Sequence, residues 1–368
     1  MAKYDILEYC LIPPPYGGVT IHVKRLIEKL REEGHSVGGF YSQKNKENKL
    51  LTESAGFYQE SYCSSSNKIL RAIHHIKRGL NHIGIVRNFK VVHYHGLENL
   101  ELIWVFHKIL KKKVLMTVHS SMTENFYRNT YRYNRFFLKR LAASDIQWIA
   151  VSEEAKLAMQ RLPFNFKNEI KVIPAYIPRE TGINIPLSES MSRYISAHSK
   201  NLTFYAHSFM INDGVDVYGF EAALRLYSEL VKEYGEELGM VLCISDVSES
   251  DKMSRLHQLA REYGVDDKIY WQEGPIDNMY TLWGHTDVYV RPTSTDGDSI
   301  AIREVLEAGR MVVASDVCVR PLGVITYRFG DEEDLIAKVK DALATPRKEK
   351  VLNWQPYEEV RHVIESIL

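Results

Sequence analysis

The chain has 368 residues, 45% of them hydrophobic and 26% charged. That length asks for two cores, and that composition excludes a disordered or fibrous protein. The 47 Lys and Arg balance the 47 Asp and Glu, but residues 61–145 hold about 15 basic against about 4 acidic ones, so the remainder is acidic.

The N-terminal stretch "MAKYDILEYCLIPPPYGG" has a short apolar run broken by charge and then by three prolines, which reads as a first strand and not a signal peptide. "TIHVKRLIEKLREEGHSV" places Ile21, Leu26, Ile27 and Leu30 on one face and predicts an amphipathic helix ending at Gly34. "KILRAIHHIKRGL" (68–80) sets Ile69, Leu70, Ile73, Ile76 and Leu80 against Arg71, Lys77 and Arg78. "VVHYHG", "VLMTVH" and "WIAVS" are short buried-type strands, each followed by a helical pattern. Such alternation predicts a parallel sheet covered on both faces.

"KVIPAYIPRETGINIPLSES" loses the periodicity and carries three prolines, so a boundary is expected near 178–200. The alternation restarts at "NLTFYAH" and runs through "MVLCIS", "IYWQEG", "DVYVRPT" and "RMVVASD" with helices between. The expected layout is a first domain over 1–180, a linker over 181–199, a second doubly wound domain over 200–350, and a C-terminal helix in 351–368 that returns to the first domain. No apolar run reaches the roughly 18 residues that span a bilayer. The four cysteines (Cys10, Cys63, Cys243, Cys318) form no CxxC pair, which suits a reducing compartment.

Two doubly wound domains would place the C-terminal ends of their strands around one cleft, where ligands bind in open parallel sheets. After "DVYVRPT", the run Asp296-Gly297-Asp298-Ser299 precedes an apolar-striped helix beginning at Ile300. Its free amides and positive dipole end suit a phosphate or sugar hydroxyls. Asp296 and Glu304 would line one wall; alternatively Asp298 or Ser299 is only a cap and Glu304 a surface residue. His119 ends a strand and is followed by Ser120 and Ser121. His93 and His95 are expected to alternate faces, with His95, nearer the strand end, the better site candidate. No carboxylate or cysteine lies at ligand spacing with these histidines, so no metal is expected.

"RPTSTDGDSIAIREVLEAGRMVVASD" resembles the donor-binding segment of retaining, family-four glycosyltransferases of the GT-B fold, with Asp296 and Glu304 at its two acidic positions. "PPPYGGVTIHVKRLIEKLREEGHSV" is similar to that family's glycine loop and first helix, and "VVHYHG", "VLMTVHSS", "WIAVSEEAK" and "IKVIPAYI" follow in family order. The resemblance implies a GT-B architecture, two Rossmann-like domains facing one cleft. It implies no cofactor beyond a nucleotide-diphosphate sugar as donor. Gly17 and Gly18 would admit the donor phosphates, Asp296 would meet sugar hydroxyls, Glu304 the ribose, and His119 would sit beside the reacting carbon. A similar subgroup, reading like "RPT…DGD…REAL…RP.G", occurs among enzymes of surface-polysaccharide clusters, implying a glycan or lipid-linked acceptor.

The chain departs from the family where Ser208 and Asp213 stand at the usual Arg and Lys positions, and where Ser299 replaces a glycine. Two readings follow. Arg291 and Arg303, with Arg320 nearby, take over the pyrophosphate, Arg303 otherwise pairing with Glu307 one turn on. Or the donor site is silent and the chain is a glycosyltransferase-like binding subunit. A nucleotide-sugar epimerase would need acid–base carboxylates that the sequence does not locate. The basic, aromatic-rich 68–140 region suits a cytoplasmic protein peripheral to an anionic membrane, or equally a core-facing helix with solvated lysines. No helix-turn-helix, RRM or zinc signature supports nucleic-acid binding.

Overall fold

The computed structural model describes residues 2–14, 17–42, 55–178, 185–212, 214–276, 279–346, 349 and 353–368. They form two compact units, Met1–Ile177 with Trp354–Leu368, and Pro178–Asn353.

The first unit runs β1 (Tyr4–Ile12), α1 (Gly18–Glu32), β2 (Val37–Tyr41), β3 (Phe57–Gln59), α2 (Lys68–Val86), β4 (Phe89–His95), α3 (Leu100–Lys108), β5 (Lys113–Val118), α4 (Thr123–Asn129), α5 (Arg132–Ala142), β6 (Gln147–Ala150), α6 (Glu153–Gln160) and β7 (Ile170–Val172). Its strands pair in parallel in the order β3-β2-β1-β4-β5-β6-β7. Both faces are covered, as the continuous apolar strand runs require. Leu7, Val92, Met116 and Trp148 pack on one side with α3 and α5; Ile6, Leu115 and Ile149 pack on the other with α1.

The second unit runs α7 (Glu189–Ala197), β8 (Lys200–Ala206), β9 (Ile211–Asn212), β10 (Val215–Asp216), α8 (Phe220–Tyr234), β11 (Leu238–Ile244), α9 (Ser250–Glu262), β12 (Ile269–Glu273), α10 (Met279–His285), β13 (Val288–Arg291), α11 (Ile300–Glu307), β14 (Met311–Ser315), β15 (Ile325–Tyr327) and α12 (Glu332–Ala344). Six strands pair in parallel in the order β12-β11-β8-β13-β14-β15, and β9 and β10 form a short antiparallel pair. The stretch expected to be a linker is therefore partly a packed helix. Ser188 caps α7, and Met191 and Ile195, four residues apart, are buried against Val241 and Leu282. The nearby prolines hid that short period.

A last helix, α13 (Gln355–Glu365), completes the first unit. Its first turn holds Pro356, whose missing N–H costs nothing there. Tyr357, Val360, Val363 and Ile364 join Leu26 and Leu30 of α1, and the Tyr357 hydroxyl donates to Glu33 at 2.7 Å.

Candidate active site

In the second unit, the chemistry gathers where β13 ends. Arg291 donates from Nε and Nη2 to the two carboxylate oxygens of Asp296, each at 3.0 Å. Arg320 adds Nη1 to the same carboxylate at 2.7 Å, and its remaining nitrogens donate to Ser315 and to the Thr293 hydroxyl. The Gly297 amide also donates to Asp296. All three charged side chains are buried or nearly so. Burial alone would raise the Asp296 carboxyl; the two guanidiniums hold it below the usual range, and Arg291 in turn stays charged beyond its ordinary value. Tyr218 lies under the Arg291 guanidinium, 5.4 Å from its ring centre. Its neighbour Gly219 has φ +75°, and a β-carbon there would stand 2.3 Å from the Pro292 carbonyl oxygen, so only glycine lets the chain pass beneath β13's end.

The helix α11 opens beside this cluster. Ser299 caps it, its hydroxyl accepting the Ile302 amide, while the amides of Ser299, Ile300 and Ala301 find no acceptor among the described residues. Asp298 pairs with Arg303 Nε at 2.6 Å. Arg303 thus turns to Asp298 and not to Glu307, which instead accepts from the Tyr280 hydroxyl. The Arg303 Nη groups make no hydrogen bond to a described residue. Glu304 is no surface residue: it is buried and accepts the Trp283 indole N–H at 2.8 Å. Asp296, expected to meet sugar hydroxyls, has both oxygens occupied by guanidinium donors. Its position holds the arginines in place.

In the first unit, β1, β4 and β5 bring a second polar cluster together. Glu8 on β1 is in register with His93 on β4, and His95 with Thr117 on β5. Residues two apart on a strand share a face, so the expectation that His93 and His95 point oppositely is wrong: both reach the Glu8 carboxylate, His93 Nδ1 at 3.0 Å and His95 Nε2 at 2.7 Å. His93 Nε2 meets the Thr117 hydroxyl at 2.7 Å, and His95 Nδ1 meets His119 Nε2 at 3.0 Å. His22 of α1 packs edge-on against the His95 and His119 rings. Burial would raise Glu8, but the imidazoles beside it hold it at about 2. Burial pushes His95 down to about 4 and, with the neighbouring rings, His22 and His119 well below the ordinary value.

A carboxylate therefore does lie at ligand distance of these histidines, contrary to the sequence reading. Glu8, His93 and His95 offer three metal-ligand atoms within 4.8 Å of one another. As they stand, His95 Nε2 lies 2.7 Å from Glu8 Oε2 and His93 Nδ1 3.2 Å from Glu8 Oε1, both within hydrogen-bonding distance.

Residues 16–180 match the model of Glycosyltransferase Family 4. Among solved structures the whole chain is similar to sucrose-phosphate synthase from Thermosynechococcus elongatus, with 16% identity, a TM-score of 0.70, and 99% of this chain and 96% of that one covered. It is also similar to Anabaena Alr3699/HepE in complex with UDP and glucose, with 13% identity, a TM-score of 0.68 and coverage of 99% and 100%. WaaG, a glycosyltransferase involved in lipopolysaccharide biosynthesis, gives 16% identity, a TM-score of 0.61 and coverage of 98% and 95%. No curated protein matches by sequence. The chain has the GT-B fold, and the family-four match lies almost entirely within its first unit.

Of the residues expected in the first unit, Gly17 has extended backbone that any residue adopts and open space where a β-carbon would stand. Its amide donates to the Thr20 hydroxyl, and Gly18 begins α1 in an exposed position. Ser120 is exposed and accepts the Met122 amide before α4. In the other unit Ser208 is half-buried just past β8; Asp213 lies outside the described residues. Sequence reasoning missed Glu8, His22, Tyr218 and Trp283. Glu8 carried a signal, a lone acid inside an apolar strand whose parallel neighbour holds two histidines.

Proposed function

We propose that the protein is a retaining glycosyltransferase that moves a sugar from a nucleotide-diphosphate sugar to a glycan or lipid-linked acceptor. The observation that carries this reading is the arginine cluster at the opening of α11: among the described residues, Arg291, Arg303 and Arg320 form ion pairs with two carboxylates, Asp296 and Asp298. A surplus guanidinium beside helix amides with no acceptor among the described residues would suit a diphosphate. Arg303, with its Nη groups still available, would take over from the cation missing at Ser208, while Arg291 and Arg320 supply fixed positive charge behind it. These donors, placed before the reaction begins, would stabilise the charge that develops on the leaving diphosphate. Glu304, steadied by Trp283, keeps the ribose role that the family resemblance implies, and His119 the place beside the sugar. That HepE was solved with UDP and with UDP-glucose supports a nucleotide-sugar donor.

We also place this enzyme against an anionic membrane through α2. Its inner face, with Gly79, His82, Ile85 and Val86, is buried, and the outer face leaves Ile69 at 70%, Ile76 at 62% and Leu80 at 63% exposure. The helix is thus not core-facing along its apolar stripe. Tyr131, Tyr133 and Phe136 are exposed at α5 among Arg132, Arg135 and Lys139, a composition suited to a headgroup layer. Among the described residues no helix is long and apolar enough to cross a membrane.

The test is a thermal-shift panel of UDP, GDP, ADP and dTDP. One of them is expected to raise Tm, with Arg303→Ala weakening its affinity roughly 10- to 100-fold, the worth of a charged hydrogen bond. The product of the matching sugar donor should keep the donor's anomeric configuration. If none of the four stabilises the folded protein, the silent-subunit reading, favoured by Ser208, takes its place.

A further inference from the structure

The histidines of the first unit are joined to one carboxylate by hydrogen bonds that end on His119. Glu8 Oε2 stands 2.7 Å from His95 Nε2, and His95 Nδ1 stands 3.0 Å from His119 Nε2. The direction of each bond follows from the groups. An ionised carboxylate only accepts, so His95 carries its proton on Nε2 and donates it. Burial and the neighbouring His93 hold His95 neutral, down to about 4, so its Nδ1 is bare and can only accept. His119 must then hold its own proton on Nε2 and donate that. Its Nδ1 is left bare, and it bonds to no described residue.

The Glu8 and His95 side chains are both fully inaccessible, so water cannot reverse the chain by supplying a donor in place of the carboxylate. His93 braces the same carboxylate from its other side and is itself tied to Thr117. His22 packs against both His95 and His119 without a hydrogen bond to either.

We propose that Glu8 is a positioning residue for His119: acting through His95, it fixes the His119 proton on Nε2 and presents the bare Nδ1 as a hydrogen-bond acceptor. Resting on the reading that His119 stands beside the sugar, this acceptor suits a substrate hydroxyl and would repel an electron-rich oxygen with no proton to give. The relay sets what His119 can recognise without Glu8 touching the substrate.

The experiment is nitrogen NMR of the full chain labelled at the histidine ring nitrogens, which reports directly which nitrogen carries each proton. In the wild type His119 is expected as one tautomer, protonated on Nε2. A charge-assisted bond at the head of the relay biases the two tautomers by a factor of roughly ten or more. In Glu8→Gln, whose amide can donate as well as accept, that ratio should fall to near one or invert. A folded Glu8→Gln variant with the His119 tautomer unchanged, or a wild type with the proton on Nδ1, overturns the proposal. The wild-type spectrum decides even if the variant does not fold. Neither result depends on whether the chain transfers a sugar, so a failure here is separable from a failure of the nucleoside-diphosphate test.

Discussion

Each of the two units sets a buried carboxylate, Glu8 or Asp296, among basic side chains, and the two carboxylates have opposite company. Glu8 is met by imidazoles, which can be neutral, and its cluster carries little excess positive charge. Asp296 is met by two guanidiniums, which cannot give up their protons, and its cluster stays cationic at any ordinary pH. On the proposed reading, the difference would divide the labour of a transfer reaction. A site that must hold a diphosphate needs fixed positive charge, whereas one that must tell a hydroxyl from other groups needs a hydrogen-bond pattern set by tautomer.

The comparison breaks most sharply at Asp296. Asp296→Asn keeps the shape but turns an amide N–H toward guanidinium donors and leaves Arg291 and Arg320 buried without their counter-charge. Removing one member of such a buried set costs about 3–5 kcal/mol. Urea unfolding should therefore show a strongly lowered midpoint with an unchanged slope. A loss under about 1 kcal/mol would mean that water reaches the guanidiniums and that the cluster is not the fixed charge described above.

Acid separates the two clusters next. His22, His95 and His119 are held neutral in the folded chain, with His95 at about 4. As pH falls through about 6.5 the unfolded chain takes up protons that the folded chain refuses, so stability falls with pH down to the folded value near 4. Glu8, held at about 2, acts in the same direction below about 4.5. The arginine cluster contributes no slope between pH 7.5 and 5. His95 alone should remove roughly 2 kcal/mol between those two values. His257, raised by Asp266 and Glu273 despite some burial, opposes this weakly from a partly exposed pair. Denaturation curves that coincide at pH 7.5 and 5 would show that the buried histidines titrate freely.

The two clusters also differ in how far the sequence revealed them. Alternating strands and helices made both sheets legible, because buried parallel strands leave apolar runs that no other element explains. The loop from Asp296 to Ser299 was visible too, since its residues are neighbours in the chain and precede a helix. Its pairing was not: Arg320 reaches Asp296 across 24 positions, and no local pattern says which of Arg291, Arg303 and Arg320 is already committed. Glu8 was harder still. It meets His93 across 85 positions through strand register, which exists only once β1 lies beside β4. The helix α7 was lost because a proline-rich stretch runs up to its start, and the fate of the apolar face of α2 could not be read because periodicity shows that a face exists without showing what covers it.

Another buried carboxylate, Glu60, joins both kinds of partner, and the helix it anchors gives the smallest expected effect on stability. Glu60 accepts from Arg78 at 2.7 Å and lies 3.3 Å from His82, and these bonds, with burial opposing them, hold it at about 2. Both partners are on the inner side of α2, so the helix is tied down on that side while Ile73 and Ile76 stand outward. If the outward stripe docks on lipid, Ile73→Asp with Ile76→Asp should leave stability within about 0.5 kcal/mol, because neither side chain leaves a core. Binding to vesicles containing phosphatidylserine should nonetheless weaken at least about tenfold, since two apolar contacts are lost and two negative charges face an anionic surface. A double variant that binds such vesicles as tightly as the wild type removes α2 from the membrane, and leaves its exposed isoleucines as a face that Glu60 orients for some other purpose.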